Sequence, residues 1–264
     1  MRIWLATPAA VVLLAGCAGH SASAPTVAKI PLDTRSDATG LVAVKAAEIG
    51  PDPRVGALFL GAGSQHTCTG SVLQSSTGDL VLTAAHCLAD GVPATFVPAF
   101  VNEAAADDVW KVDTVYLDPR WVATQDPLAD YAIVRVSRDG GGSIEAQTGS
   151  ALKLGTAPSA GTPVTITGYP LGDGGGPLTC QADTEQSPQG YPRLKCGGLV
   201  DGTSGAPWIN GATATGVIGG LDGGGCDENI SYSAPFDADT AKLLARAEAG
   251  GPGDAAPNTF DSDC

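Results

Sequence analysis

Basic residues are scarce in this chain: 14 lysines and arginines stand against 28 acids, for a net charge of −14. That balance disfavours nucleic acid and anionic membrane surfaces as partners. Aromatic residues make up only 5% of the chain, so any core must lean on Val, Leu, Ile and Ala. No stretch reaches the ~18 consecutive apolar residues of a membrane-crossing helix. Recognisable cofactor patterns are missing too. The run Gly172-Asp173-Gly174-Gly175-Gly176-Pro177 lacks the following helix that a nucleotide-binding glycine loop needs. The oxygen-rich stretch 222–229 does not fit EF-hand spacing, and there is no zinc-ligand motif, so neither cofactor nor metal is expected. Histidine is the scarcest group of chemical use, with His20, His66 and His86 the only three.

What is present starts at the N-terminus. Arg2 leads into an apolar stretch over residues 3–14 and then Leu14-Ala15-Gly16-Cys17, a signal-peptide pattern over residues 1–16 with small residues before the cut. The last four residues are similar to the bacterial lipoprotein cleavage box. That resemblance implies cleavage before Cys17, lipid on its sulfur, and an extracytoplasmic protein held to the bacterial cell membrane by acyl chain; an ordinary secretory signal is the alternative. Apart from Cys17 there remain Cys68, Cys87, Cys180, Cys196, Cys226 and Cys264. An even set in an exported chain argues for disulfides and against a thiol catalyst.

Residues 17–54 read as a tether and N-terminal extension: 18–28 is rich in Ser, Ala and Pro, whereas 30–53 stays open between linker and packed segment. From residue 55 the texture changes. Short β-branched runs at 55–60, 70–74, 80–83, 94–101, 110–117, 132–136, 163–168 and 215–220 alternate with Gly, Pro, Asp and Ser clusters. Many short strands with frequent turn signals predict an all-β barrel or sandwich, divisible into two halves around 137–149. One helix is predicted over 237–248, with Asp or Thr to cap it and Gly250-Gly251-Pro252 to stop it. The tail 250–264 reads as loop with its end stapled by Cys264. Trp110, Trp121 and Trp208 are expected in core or strand positions.

The chemistry gathers around Asp201-Gly202-Thr203-Ser204-Gly205-Ala206-Pro207. An α/β-hydrolase elbow would need a glycine at 206, a helix where Pro207 stands, and a histidine downstream of the serine. None is present, so the elbow reading fails, and the order histidine, acid, serine can be tested because the chain has only three histidines. His20 lies in the tether and His66 reads as a loop residue, which leaves His86 in Leu82-Thr83-Ala84-Ala85-His86-Cys87. Asp113, Asp118, Asp126 and Asp130 are the candidate acids. Asp126 precedes Pro127 and reads as a turn residue, whereas Asp130 runs directly into the apolar strand Ala132-Ile133-Val134 and is preferred.

Thr83-Ala84-Ala85-His86-Cys87, Asp130-Tyr131-Ala132-Ile133-Val134 and Asp201-Gly202-Thr203-Ser204-Gly205-Ala206-Pro207, in that order, resemble the trypsin and chymotrypsin family of serine peptidases, especially its bacterial branch. The resemblance covers most of 55–249 and implies an all-β, two-barrel chymotrypsin-like fold with a C-terminal helix. It implies a serine endopeptidase acting on protein or peptide, with His86, Asp130 and Ser204 as catalytic triad and the amides of Gly202 and Ser204 as oxyanion hole. It also implies a Cys68–Cys87 disulfide. Cys180 pairs locally with Cys196, leaving Cys226 for Cys264, or Cys196 pairs with Cys226; the local arrangement is slightly preferred.

Two departures carry expectations of their own. Thr203 stands where animal members keep the aspartate of their activation switch, so no such switch is expected. Gly198 stands where trypsin-like enzymes keep an acid, so selection for Lys or Arg is disfavoured and Gly198, Leu199, Gly219, Gly220 and Leu221 suggest an open neutral substrate pocket. A monomer is expected. A surface binding protein on a degenerate protease fold, and a protease-like esterase, are the competing functions.

Overall fold

The computed structural model describes residues 44–227 and 229–258, so the predicted signal peptide, Cys17, most of the predicted tether and Cys264 lie outside the described residues. Strands β1 (Ala47–Glu48), β2 (Val55–Leu60), β3 (His66–Leu73), β4 (Leu80–Thr83), β5 (Ala94–Pro98) and β6 (Trp110–Leu117) come first. Helix α1 (Pro119–Thr124), β7 (Ala132–Ser137) and α2 (Ile144–Thr148) follow. The second half holds β8 (Lys153–Leu154), β9 (Pro163–Gly168), β10 (Leu178–Gln186), β11 (Pro192–Lys195), β12 (Pro207–Asn210), β13 (Thr213–Val217), β14 (Ile230–Tyr232) and α3 (Ala238–Ala249).

β2, β3, β4, β7, β6 and β5 close into a six-stranded barrel, and the remaining strands form an eight-stranded sheet in the order β14-β11-β10-β9-β12-β13-β8, with β1 added on β10. This is the chymotrypsin-like fold, although the second sheet does not close among the described residues. β4 is buried at all four positions, and Leu58, Val72, Val81, Phe96, Trp110 and Trp121 fill the barrel. A second cluster around Val164, Ile166, Leu194 and Trp208 fills the sheet. A third, including Leu82, Ile133, Ile209, Val217 and Leu243, draws on both halves and on α3. Trp110, Trp121 and Trp208 are all fully buried. The two sheets therefore share one continuous apolar seam, and the loops crossing it are fixed from both sides.

Differences from the sequence reading have local causes. β10 and β11 escape a search for β-branched runs because β10 turns Cys180 and Thr184 inward and polar residues outward. The strand predicted at 94–101 stops at Pro98, where Ala99 takes a left-handed φ of 51°. The strand predicted at 215–220 is shifted to β13, opposite a register break in β12. His66, read as a loop residue, opens β3 and is buried.

The segment left open in the extension also finds a place. The Ala46 amide donates to Gly197 O (2.8 Å), the Gly197 amide to Val44 O (2.9 Å), and the Ile49 amide to Pro177 O (3.1 Å). Residues 44–49 thus form an edge strap on the sheet, beginning well before residue 55. At the other end, α3 is capped by Asp237, which accepts from the Asp239 amide at 2.8 Å, with Thr240 completing a capping box. The tail then runs along β6: the Leu117 amide donates to Asp254 Oδ2 (2.7 Å) and the Asp254 amide to Val115 O (2.8 Å).

Candidate active site

His86 sits in a single 3-10 turn, Ala85–Cys87, directly after the buried strand β4. Cys68 of β3 is bonded to Cys87, so the histidine turn is tied to the neighbouring strand. His86 Nδ1 lies 2.8 Å from Asp130 Oδ2. Asp130 is fully buried and accepts two further bonds, from the His86 amide on Oδ1 (3.0 Å) and from the Gly220 amide on Oδ2 (2.8 Å). An ionised carboxylate only accepts, so Nδ1 carries the proton and Nε2 is the basic nitrogen.

The other acids are otherwise engaged. Asp126 caps the next 3-10 turn through the Leu128 amide (3.0 Å), and Asp113 is exposed at a bulge of β6. Asp118 caps α1 through the Arg120 amide (2.8 Å) and accepts from the Tyr131 hydroxyl (2.8 Å). Burial would raise the Asp118 carboxyl, but the Arg120 guanidinium and amide and the Tyr131 hydroxyl together hold it below its ordinary value. A carboxyl depressed in the folded state stabilises the protein above the unfolded-state value, about pH 4, and that contribution is lost as pH falls further. Asp118→Asn should therefore destabilise the domain by about 1–2 kcal/mol at pH 7. In urea titrations from pH 7 to 2.5, the gap to wild type should narrow below about pH 4; a constant gap would contradict this account.

Ser204 stands in the turn before β12, and with His86 it lines a cleft of about 440 Å³. The peptide planes of this turn can be followed one by one. Asp201 O accepts from the Leu171 amide (2.6 Å), and Thr203 O from the Ala206 amide (2.9 Å). Gly202 O accepts from Thr69 Oγ1 (3.1 Å), and the Thr203 amide donates to Val200 O (3.1 Å). In a trans peptide C=O and N–H point opposite ways, so anchoring the carbonyls of Asp201 and Thr203 turns the amides of Gly202 and Ser204 the other way. Neither amide donates to a protein group among the described residues. Gly202 has φ +88°, and a Cβ there would lie 2.1 Å from Leu171 N. Only glycine fits.

The remaining wall of the cleft includes Leu171, Leu199, Val200, Thr203, Ile218, Asp222, Gly223–Gly225 and Ser231. Of the predicted substrate residues, Leu199 lines it. Gly198 faces the strap instead, with a Cβ position 3.8 Å from Ala46. Gly219 and Gly220 back Asp130 from behind: a Cβ on Gly219 would lie 3.0 Å from its Oδ2, and the Gly220 amide is spent on that carboxylate. Leu221 opens the 3-10 turn Leu221–Gly224. Leu171, Val200, Ile218 and Ser231 are not singled out by sequence: Val200 and Ile218 adjoin recognised segments without a distinctive side chain, and Leu171 and the β14 residue Ser231 lie in segments with no motif. The buried Thr203 donates its hydroxyl to Val200 O (2.7 Å), a local cap where the activation aspartate would stand. Cys180 is bonded to Cys196, and Cys226 is also in a disulfide; Cys264 lies outside the described residues.

The sequence profile of the trypsin-like peptidase domain matches residues 68–219, more than half of the chain. The chain belongs to this family. Among solved structures, the trypsin-like domain is similar to the protease Anisep from Arthrobacter nicotinovorans, at 21% identity and TM-score 0.68, over 78% of this chain and 100% of that one. It is similar to the thermostable serine protease AL20 from an extremophilic microorganism, at 22% identity and TM-score 0.65, over 76% and 99%. Human heparin binding protein has the same fold at 16% identity and TM-score 0.62, over 80% and 100%. At these identities the structures speak for the fold of the trypsin-like domain alone. No curated protein sequence matches the chain.

Proposed function

We propose that this protein is a serine endopeptidase that uses His86, Asp130 and Ser204. The observation that carries the reading is the Asp130–His86 pair facing a cleft shared with Ser204, beside a turn whose Gly202 and Ser204 amides are left to a ligand. Ser204 Oγ attacks the scissile carbonyl carbon while His86 Nε2 accepts its proton. The oxygen, now negatively charged, is held by the two amides. His86 returns the proton to the leaving amine as the C–N bond breaks, giving the acyl-enzyme. Water, activated by the same imidazole, then releases the acid and restores Ser204. Asp130 keeps Nδ1 protonated and stabilises the imidazolium.

Leu199, Val200 and Ile218 supply an apolar wall that favours an apolar residue at the cleaved position, while Asp201 and Asp222 also line the cleft and add negative charge to it. Activation by cleavage after Arg54 is disfavoured, because Arg54 is paired with Asp52 (2.7 Å) and Val55 begins the closed barrel. The exported, tethered enzyme is therefore active without a cut at Arg54. Disulfides imply an oxidising, extracytoplasmic compartment, with lipid on Cys17 as the membrane attachment and a monomer as the working form.

Human heparin binding protein, by its name, binds a polyanion; a chain of net charge −14 is ill suited to the same partner. A fluorophosphonate probe tests the reading. Wild type should be labelled, whereas Ser204→Ala and His86→Ala should not. Labelling that survives Ser204→Ala removes the nucleophile, and a folded wild type that resists the probe favours a binding protein.

A further inference from the structure

His66 has no part in the chemistry above, yet it is among the most confined side chains near the cleft. It is 1% exposed. Its ring stands edge-on to Phe59, Phe100 and Tyr169, with centroids 5.7, 5.3 and 5.9 Å away. Nδ1 has no hydrogen-bond partner among the described residues, whereas Nε2 lies 2.9 Å from Gly174 O. A carbonyl can only accept, so Nε2 carries the proton. A phenyl ring would fill this aromatic cage without leaving a nitrogen unsatisfied, an omission that costs about 1–3 kcal/mol. What imidazole adds over phenyl is the bond to Gly174.

That bond holds a segment that matters to the turn. The His66 amide donates to Gly172 O (3.0 Å), and the Gly172 amide to His66 O (3.3 Å). With Nε2, three bonds from one residue fix 172–174 to β3. Leu171 comes immediately before. Its side chain is 46% exposed and does little to anchor it, but its amide is the donor that fixes Asp201 O, and with it the direction of the Gly202 N–H.

We propose that His66 is a positioning residue for the oxyanion turn: its bond to Gly174 keeps the Leu171 amide on the Asp201 carbonyl and so aims the Gly202 N–H into the cleft. This rests on the serine-peptidase reading. If 172–174 loosens, the Asp201–Gly202 peptide gains freedom to rotate and the hole loses a donor. Losing such a donor outright typically lowers turnover by about 10²–10³, so partial loosening should register in kcat. Substrate binding, governed by Leu199, Val200 and Ile218, should be little changed.

The test compares wild type, His66→Phe, His66→Gln and Asn102→Gly by ester hydrolysis, thermal melting and inhibition by phenylboronic acid, whose boronate mimics the tetrahedral adduct. His66→Phe keeps the ring and loses the donor. Its kcat should fall about tenfold or more with KM within about threefold, phenylboronic acid should weaken by a similar factor, and its melting temperature should match or exceed wild type. His66→Gln keeps an N–H while losing the ring, so it should recover much of the turnover although it melts lower. Asn102→Gly removes only the exposed bond from the Gly175 amide to Asn102 Oδ1 (3.2 Å) and retains the left-handed backbone. It should show a smaller kcat loss at unchanged KM. A merely structural histidine predicts the opposite order, with activity following stability; full kcat in both His66→Phe and Asn102→Gly overturns the proposal. A wild type that neither hydrolyses ester nor reacts with fluorophosphonate refutes the peptidase reading instead, a different outcome from an active enzyme indifferent to residue 66.

Discussion

Asp130→Asn should lower kcat by about 10⁴-fold, the loss expected when the residue that orients the base becomes neutral. Asp130 receives three N–H groups, on both of its oxygens, in a site closed to water. An asparagine has one acceptor oxygen, so whichever way its amide lies, an NH₂ faces an N–H. If the NH₂ faces His86, Nδ1 becomes an acceptor and the proton moves to Nε2, where it blocks attack. If it faces the His86 amide instead, a buried donor is stranded and the turn carrying the base is strained. In both orientations the charge opposite the imidazolium is gone. The rate of fluorophosphonate labelling checks this, with Asp126→Asn as control. That variant removes a charge while keeping an acceptor oxygen for the Leu128 amide, and should stay within about threefold of wild type. Similar losses in the two would mean that the wrong acid has been chosen.

A methyl group at position 202 should be nearly as damaging. In Gly202→Ala the new Cβ would sit 2.1 Å from Leu171 N and 2.7 Å from its Cα, both backbone atoms with no rotamer to give. The turn or the 170–171 segment must move, and either movement takes the Gly202 amide off its aim. Turnover should drop by about 10²–10³. A control separates this clash from left-handed strain, which by itself costs about 1–2 kcal/mol. Gly211 has φ +62° but open space where a Cβ would go, so Gly211→Ala should lower stability and leave kcat unchanged. Equal activity losses in the two variants would remove the oxyanion role assigned to Gly202.

The proximity of His86 and Asp130 is legible in sequence because each is held by short-range context. His86 follows an uninterrupted apolar strand and precedes a cysteine; Asp130 ends a turn and leads into β7. The turn around Ser204 is similarly compact, since glycine, serine and glycine lie within four residues. The pocket is less legible because its walls come from segments far apart in sequence, the β14 residue Ser231 among them, and Gly, Val, Ile and Ser at those positions carry no distinctive pattern. Gly219 and Gly220 show the limit of reading a strand by resemblance. Nothing in their sequence indicates that the Gly220 amide is consumed by the acid. His66 reads as a loop residue from its neighbours alone, and only the arrival of Phe59 from β2 and of Phe100 and Tyr169 from the loops after β5 and β9 makes its burial evident.

The strap at 44–49 bears on where this domain may be cut. The resemblance begins at residue 55, and an expression boundary chosen there would strip β1 from Leu178 and Thr179 and leave Gly197 without its two main-chain bonds. A stretch of sheet margin would then present unpaired N–H and C=O groups to solvent, an invitation to add a strand from another molecule. Its natural occupant is a short segment of the same chain, so the shortest version that keeps this margin covered starts at or before Val44.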